Sequence, residues 1–246
     1  MKKNIFILLL ITLIIPIFIT GCQESSTPDR QSSIKNNSES NGASFDEVTI
    51  ATEDGLSLNG HLYGFGKKGV ILSHMFPSDQ KSWNDFAFEL TEKGYIVLTF
   101  DFRGYGDSNG EKDPAKISLD EKAAIEFIKD QGVEELFLIG ASMGGTAALK
   151  AAATADINGV VSLSAPRVFK GLSTEKEIAS INKPKLFIAA EDDEEAVKEA
   201  EWLFDTTPEP KELEIYNGND HGSDLLSGKD GKKVKKSITD FLEDNS

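Results

Sequence analysis

Long apolar runs that alternate with helical patterns constrain this chain more than any other feature. Such runs occupy residues 70–72, 95–100, 136–139, 159–163, 185–189 and 213–216. Strands that are apolar on both faces and separated by helices are typical of a parallel sheet with helices on both sides. The pattern therefore predicts an α/β fold with a mostly parallel central sheet.

An antiparallel hairpin is predicted ahead of this sheet. Residues 48–52 and 56–63 alternate partly between apolar and polar side chains and flank the turn dipeptide Asp54-Gly55, a pattern typical of a hairpin. In open parallel sheets, ligands bind beyond the carboxyl ends of the strands. Five candidate functional residues follow the apolar runs directly or within a few positions: His74, Asp101, Ser142, Asp193 and His221.

Residues 140–144, Gly-Ala-Ser-Met-Gly, lie between a predicted strand and an alanine-rich helical stretch at residues 146–153. The pattern G-x-S-x-G forms a sharp strand-to-helix turn that exposes the serine, because a Cβ at either glycine would collide with neighbouring backbone. A serine hydroxyl also needs a general base to remove its proton. Downstream lie an acidic cluster that begins at Glu191 and then His221, which gives the chain order Ser, Asp, His.

Four segments resemble those of the α/β-hydrolase superfamily, and the resemblance covers nearly all of residues 45–246. Residues 73–77 are similar to the loop after the third strand that begins His-Gly-x-Pro in many members, and residues 101–108 match Asp-x-Arg-Gly-x-Gly-x-Ser. Residues 140–145 match the serine turn, and residues 220–222 match the histidine loop. The resemblance implies an α/β-hydrolase fold with helices on both faces of the sheet. It leaves the substrate open.

The three histidines of the chain are assigned by elimination, with Ser142 as the nucleophile. His61 falls in the predicted hairpin, and His74 matches the structural histidine of the family's oxyanion loop. His221 remains as the general base. For the acid, the offset usual in the family favours Asp193, with Asp192 as the alternative.

Stabilisation of an oxyanion requires two hydrogen-bond donors near the reacting carbonyl oxygen. One is expected to be the amide of Met143, the residue after the nucleophile, and the resemblance implies that the other is the amide of Phe76. Met75 stands where the family usually has glycine. We expect its side chain to narrow the acyl pocket.

Two further polar residues, Asp101 and Arg103, are expected to serve as scaffold, while Gly104 and Gly106 permit a turn. The acidic run at residues 191–195 has no histidine at a metal-ligand spacing and no calcium-loop spacing. We therefore expect neither a metal nor another cofactor.

The first 44 residues differ in composition from the rest. Residues 1–21 contain Lys2, Lys3 and an apolar run, which predicts a secretory signal. The sequence Ile-Thr-Gly-Cys ending at Cys22 resembles a bacterial lipobox and predicts lipidation of Cys22, with palmitate among the acyl groups. The lipid would anchor the protein on the outer side of the cytoplasmic membrane. An uncleaved membrane anchor is the alternative. Residues 22–44 are rich in Ser, Asn and Gln, which predicts a disordered tether ahead of one domain at residues 45–246.

The formal net charge of −15 argues against a nucleic-acid partner. The lysines between residues 229 and 236 are predicted to form the solvated face of a C-terminal helix whose buried side carries Val234, Ile238 and Leu242; a membrane-facing patch is the alternative. We expect the protein to be a monomer.

These patterns together predict a serine hydrolase that cleaves a carboxylic ester or thioester through an acyl-enzyme on Ser142. Only residues 165–183 separate the sixth strand from the next, where family members insert a lid. This length allows a short helix, so we expect an open, shallow site that favours small acyl groups. A peptidase of the same fold and a catalytically silent surface binding module are the alternatives.

Overall fold

The computed structural model describes residues 35–36 and 44–246. The predicted signal peptide, Cys22 and most of the predicted tether lie outside these residues. Among the described helices, none has both the length and the hydropathy of a segment that could cross a bilayer.

Eleven strands are present in the described residues: β1 Lys35–Asn36, β2 Phe45–Ala51, β3 Ser57–Tyr63, β4 Lys68–Ser73, β5 Tyr95–Phe100, β6 Glu135–Ala141, β7 Gly159–Leu163, β8 Val168–Phe169, β9 Leu172–Ser173, β10 Lys185–Ala190 and β11 Lys211–Tyr216. Nine of them form one sheet in the order β1-β2-β3-β5-β4-β6-β7-β10-β11. The pairs from β1 to β5 are antiparallel, and every pair from β5 to β11 is parallel. The predicted fold class, an α/β-hydrolase fold, is confirmed.

The inner parallel strands, β4, β5, β6, β7 and β10, are buried on both faces, as their apolar runs predict, whereas the edge strand β11 is only partly buried. Five α-helices cover the described sheet: α1 Asn84–Glu92, α2 Ile117–Asp130, α3 Met143–Ala152, α4 Glu194–Thr206 and α5 Gly231–Asp244. Side chains of α2, α3 and α4 share one apolar cluster with Leu138, and those of α1 and α5 share the other with Ile139. Neighbouring residues of β6 thus enter opposite clusters, because successive strand side chains point to opposite faces.

The predicted hairpin is formed by β2 and β3, which pair from Phe45 opposite Tyr63 to Ala51 opposite Ser57. Gly55 in the connecting turn has a φ of 88°, a conformation that glycine adopts without steric cost. His61 lies in β3, as predicted, and its ring stacks on Phe45 at a centroid distance of 3.9 Å.

The last helix has the predicted two-sided character. Val234, Ile238 and Leu242 are buried, whereas Lys232 and Lys236 are exposed. An apolar stripe along one side packs α5 onto the sheet, and water solvates the other side.

The segment between β7 and β10 differs from the expected short helix. It forms a hairpin of β8 and β9, followed by a single 3₁₀ turn at Ile178–Ser180. Lys170 and Gly171 connect the two strands with φ angles of 44° and 91°. Two left-handed residues in succession make a tight turn, so the segment folds back on itself. The lid is minimal.

Candidate active site

Ser142 lies in the turn between β6 and α3, with φ 47° and ψ −115°. The turn brings three stretches of backbone so close together that side chains would not fit at its glycines. A Cβ on Gly140 would overlap the carbonyl of Gly144, and a Cβ on Gly144 would overlap the carbonyls of Ser73 and His74. A left-handed backbone at a residue other than glycine is costly, and such strain is typical of functional positions.

The structure brings three predicted residues, Ser142, His221 and Asp193, into one hydrogen-bonded chain. His221 Nε2 lies 2.9 Å from Ser142 Oγ, and His221 Nδ1 lies 2.6 Å from Asp193 Oδ2. The serine is 6 % exposed, while the imidazole side chain is 45 % exposed. A carboxylate on Nδ1 leaves Nε2 free to accept a proton from the serine hydroxyl.

Asp193 contacts two different elements through its two carboxylate oxygens. Oδ2 faces His221, and Oδ1 accepts a hydrogen bond from the backbone amide of Ala196 at 3.3 Å, which caps the N-terminus of α4. Asp192, the alternative acid, is exposed, and its amide donates to the carbonyl of Gly218 at 2.8 Å. The geometry therefore places Asp193, and not Asp192, against the histidine.

A residue that the sequence analysis missed holds the histidine loop. The backbone amide of Gly222 donates to Ser164 Oγ at 3.1 Å, and the amide of Ser164 donates to the carbonyl of Ile188 at 2.8 Å. Ser164 follows β7 directly and has a φ of 50°. Its position at the carboxyl end of a strand is the sequence signal that could have identified it as a site residue.

The loop that contains Met75 and Phe76 is held by His74. The amide of Phe102 donates to His74 Nε2 at 3.1 Å, so the proton of the ring lies on Nδ1, which donates to the carbonyl of Met75 at 2.9 Å. Burial lowers the pKa of His74, which keeps the ring neutral. These contacts give His74 the structural position expected of it.

The Met75 side chain lies against the histidine loop. A Cβ on Gly222 would come within 2.8 Å of Met75 Sδ, and the methionine packs on the apolar cluster shared by α1 and α5. The Met75 side chain, which stands where the resembling loops usually have glycine, therefore lies beneath the loop that contains His221. Gly222, with a φ of 59°, leaves room for it.

Asp101 and Arg103 occupy structural positions near the site. Asp101 Oδ1 accepts from the amide of Gln80 at 2.8 Å, and Arg103 binds Asp120 at 2.6 Å and Asp54 at 2.8 Å. Charge-assisted pairs of this kind fix loops firmly because the guanidinium donors are rigidly arranged. The two residues therefore order the loop after β5.

A further buried acid, Glu121, lies against the last residue of β4 and was not singled out from the sequence. Ser73 Oγ donates to Glu121 Oε2 at 2.8 Å, whereas the buried Oε1 has no hydrogen-bond partner among the described residues. Glu121 is fully buried, and burial raises the pKa of its carboxyl group to about 8. The carboxyl is therefore neutral at pH 7.

Within residues 44–246, no cluster of His, Cys, Asp or Glu side chains has an arrangement suited to a metal ion. The residues brought together by the fold are instead a hydroxyl, an imidazole and a carboxylate. This set can transfer a proton and form a covalent bond to a carbonyl carbon.

Comparison with known proteins supports the α/β-hydrolase superfamily. Residues 66–174 match the family model described as serine aminopeptidase, S33. A protein named thiohydrolase aneE from Aspergillus aculeatus is 36% identical over 118 residues, which cover 44% of this chain and 37% of that protein. A carboxylesterase of Bacillus subtilis is 30% identical over 111 residues, 43% of this chain and 44% of the esterase. The matches thus span less than half the length of these two relatives.

The fold has solved counterparts. An esterase of Pyrococcus furiosus superposes with a TM-score of 0.73 at 22% identity, over 86% of this chain and 97% of the esterase. The similarity extends over nearly the whole of that enzyme. The α/β-hydrolase fold of this chain is therefore established from its topology and from its neighbours.

Proposed function

We propose that the protein is a serine hydrolase that cleaves carboxylic esters or thioesters through an acyl-enzyme on Ser142. The proposal rests on one observation above all, the hydrogen-bonded chain from Ser142 Oγ through His221 to Asp193. A serine in this arrangement gives up its proton to the imidazole as it attacks a carbonyl carbon. The names of the two relatives and the esterase fold agree with this chemistry.

The reaction has two half-reactions. In the first, Ser142 Oγ bonds to the substrate carbonyl carbon while His221 Nε2 takes the hydroxyl proton, and the imidazolium then gives that proton to the departing alcohol or thiol. In the second, water attacks the acyl-serine ester, His221 accepts a proton from the water and returns it to Ser142 Oγ. The carboxylate of Asp193 stabilises the imidazolium in both.

The oxyanion would be bound by the backbone amides of Met143 and Phe76. Met143 is the first residue of α3, so its amide points out of the helix N-terminus toward the site of negative charge. Phe76 lies in the loop that His74 holds from below. Preorganised donors of this kind usually contribute the largest share of transition-state stabilisation in acyl transfer.

Peptide hydrolysis is the second candidate, because the matching family model is described as a serine aminopeptidase. The same three residues can cleave an amide. Assays with alanine p-nitroanilide beside p-nitrophenyl acetate separate the two activities. We expect the ester to be cleaved and the anilide to be inert; the reverse ranking would assign the peptidase activity.

The decisive test is Ser142→Ala in the full-length protein. The variant should lose turnover of p-nitrophenyl acetate and labelling by a fluorophosphonate probe, while its circular dichroism spectrum is unchanged. Ser180→Ala, at an exposed serine in the 3₁₀ turn after the lid, is the matched control and should keep both activities. Wild-type rates in Ser142→Ala would refute the nucleophile.

We propose in addition that lipid on Cys22 anchors the enzyme outside the cytoplasmic membrane. The lipobox-like sequence and the preceding apolar run support this location. Each acyl CH₂ buried in the membrane contributes about 0.8 kcal/mol. Cys22→Ala removes the thiol that would carry the lipid and should prevent lipidation and its associated processing. Intact-mass analysis of the native protein should give an acylated Cys22 at the N-terminus. A mature chain that begins elsewhere, without lipid, would rule the anchor out.

A further inference from the structure

Two lysines stand over the aromatic side chains beside the proposed active site. Lys170 Nζ lies 3.9 Å from the centroid of the Phe76 ring, and Lys112 Nζ lies 4.5 Å from the centroid of the Tyr105 ring. Both lysines are exposed to solvent. A lysine over a ring face is held at a defined place and still carries its full charge.

The two rings connect these lysines to the reacting groups. The Tyr105 hydroxyl lies 3.8 Å from Met143 Sδ, in the residue after the nucleophile, and Phe76 is the residue whose amide we assign to the oxyanion. The Phe76 and Tyr105 rings are 6.3 Å apart and nearly perpendicular. Each ammonium group therefore contacts an aromatic ring that belongs to, or touches, a residue proposed as an oxyanion donor.

The lid hairpin fixes the position of Lys170. Phe169, its neighbour in β8, packs against Phe76 at a centroid distance of 5.7 Å. Gly171, its other neighbour, lies so close to Ala115 that a Cβ on the glycine would be 3.2 Å from the alanine Cβ. The turn of the hairpin therefore rests on the segment that follows Lys112, and the two lysines belong to adjoining loops.

Neither lysine has a carboxylate within ion-pair distance among the described residues, although acidic residues outnumber basic ones by 41 to 26. Three nearby acids are paired with other cations, Asp107 with Lys81, Asp113 with Lys116, and Glu177 with Lys150, and Glu111, the chain neighbour of Lys112, forms no ion pair with it among the described residues. The positive charge of Lys112 and Lys170 is therefore left available to a ligand. Two exposed positive charges attract an anionic group of a ligand even in an acidic protein.

We propose that Lys112 and Lys170 bind a carboxylate of the substrate, so that the preferred substrates are esters or thioesters with a free carboxylate a few atoms from the scissile carbonyl. This inference rests on the proposed hydrolase function and specifies its substrate class. An ammonium group is a compact donor that pairs with a carboxylate without fixed orientation. The exposed parts of the Phe76 and Phe169 rings contact the methylene chain between the two substrate carbonyl groups, and the buried Tyr105 ring supports Phe76 and Lys112 from below.

The test compares two substrates that differ only in this charge. Monomethyl adipate and methyl hexanoate have the same acyl chain length and leaving group, but adipate ends in a carboxylate where hexanoate ends in a methyl group. Methanol release at pH 7.5 gives kcat/KM for each ester. In the wild type, the adipate ester should have the higher kcat/KM, and 0.5 M NaCl should reduce the ratio of the two values, because salt screens exposed charges.

The double variant Lys112→Met/Lys170→Met should reduce the adipate-to-hexanoate ratio about tenfold, the effect of losing about 1.4 kcal/mol of charge interaction. The matched control is Lys112→Arg/Lys170→Arg, which keeps both charges and should keep the ratio. Lys183→Met removes one charge next to β10, at the amino-terminal edge of the parallel strands and thus opposite the site, and should also leave the ratio unchanged.

Three results would overturn the proposal. A wild type that cleaves methyl hexanoate as well as or better than monomethyl adipate refutes the carboxylate preference but leaves the hydrolase intact. An equal loss of activity toward both esters in the Met double variant assigns the lysines to packing on the rings. Failure to cleave either ester, together with no fluorophosphonate label on Ser142, refutes the hydrolase itself and the inference with it.

Discussion

The replacement Glu121→Gln should change how the stability of the protein depends on pH. Glu121 lies on α2, fully buried, with Ser73 as its hydrogen-bond partner and a second oxygen that has no partner within the part of the chain that the structure describes. Desolvation raises the pKa of its carboxyl group from 4.5 to about 8. The neutral acid is therefore strongly favoured in the folded protein, whereas the unfolded chain ionises at its ordinary pKa.

The sign and size of the effect follow from this difference in pKa. Between pH 4.5 and pH 8 the folded protein holds a proton that the unfolded chain has released, so the free energy of unfolding falls as pH rises through this window. Below the pKa of Glu121 in the unfolded chain, its ionisation does not lower the free energy of unfolding. Above its pKa in the folded protein, the loss of free energy stays constant as pH rises further. From pH 5 to pH 8.5 the loss amounts to about 4 kcal/mol. Glutamine has no charge to lose and should abolish this loss.

Urea unfolding followed by tryptophan fluorescence measures the effect, because Trp83 is fully buried. We expect the free energy of unfolding of Glu121→Gln to exceed that of the wild type by more at pH 8.5 than at pH 5. Glu126→Gln, on the exposed side of the same helix, is the matched control and should run parallel to the wild type. Parallel curves for Glu121→Gln as well would mean that Glu121 is ionised in the folded protein, which would refute the reasoning.

Two further predictions concern the residues around His221. Asp193→Asn should reduce kcat for p-nitrophenyl acetate by roughly 10³–10⁴-fold, because the amide cannot hold the required tautomer, whereas Asp192→Asn should change it less than about twofold; the opposite ranking would make Asp192 the acid. Ser164→Ala removes the acceptor for the Gly222 amide and should reduce kcat about tenfold with little change in KM, since a lost hydrogen bond displaces the histidine loop. A Ser164→Thr variant that restores kcat would support the hydrogen bond, and an unchanged kcat in Ser164→Ala would contradict it.

Much of the fold could be predicted because parallel strands leave a strong signal. The runs at residues 95–100 and 159–163 coincide with β5 and β7, since a strand buried on both faces needs apolar residues throughout. The lid hairpin could not be predicted in this way. Its strands are two residues long, and a period cannot be recognised over two residues.

The candidate site was predictable to the extent that each residue has a local signature. Ser142 sits in a patterned turn, and His221 could be reached by elimination among three histidines. Ser164 has only its place at the end of β7 as a signal and Glu121 has none, because their partners, the Gly222 amide and the Ser73 hydroxyl, are 58 and 48 residues away along the chain. Hydrogen bonds over such separations follow from the tertiary fold, and a single sequence does not encode them as a local pattern.

The two contacts of Asp193 differ in which residue types they allow at position 193. The cap on Ala196 requires only a short side chain with an oxygen acceptor, which Asp, Asn, Ser and Thr all provide. The contact with His221 requires a carboxylate. In a mutational scan scored by protein abundance, position 193 should therefore accept this whole set of capping residues, and a scan scored by hydrolysis should accept aspartate alone.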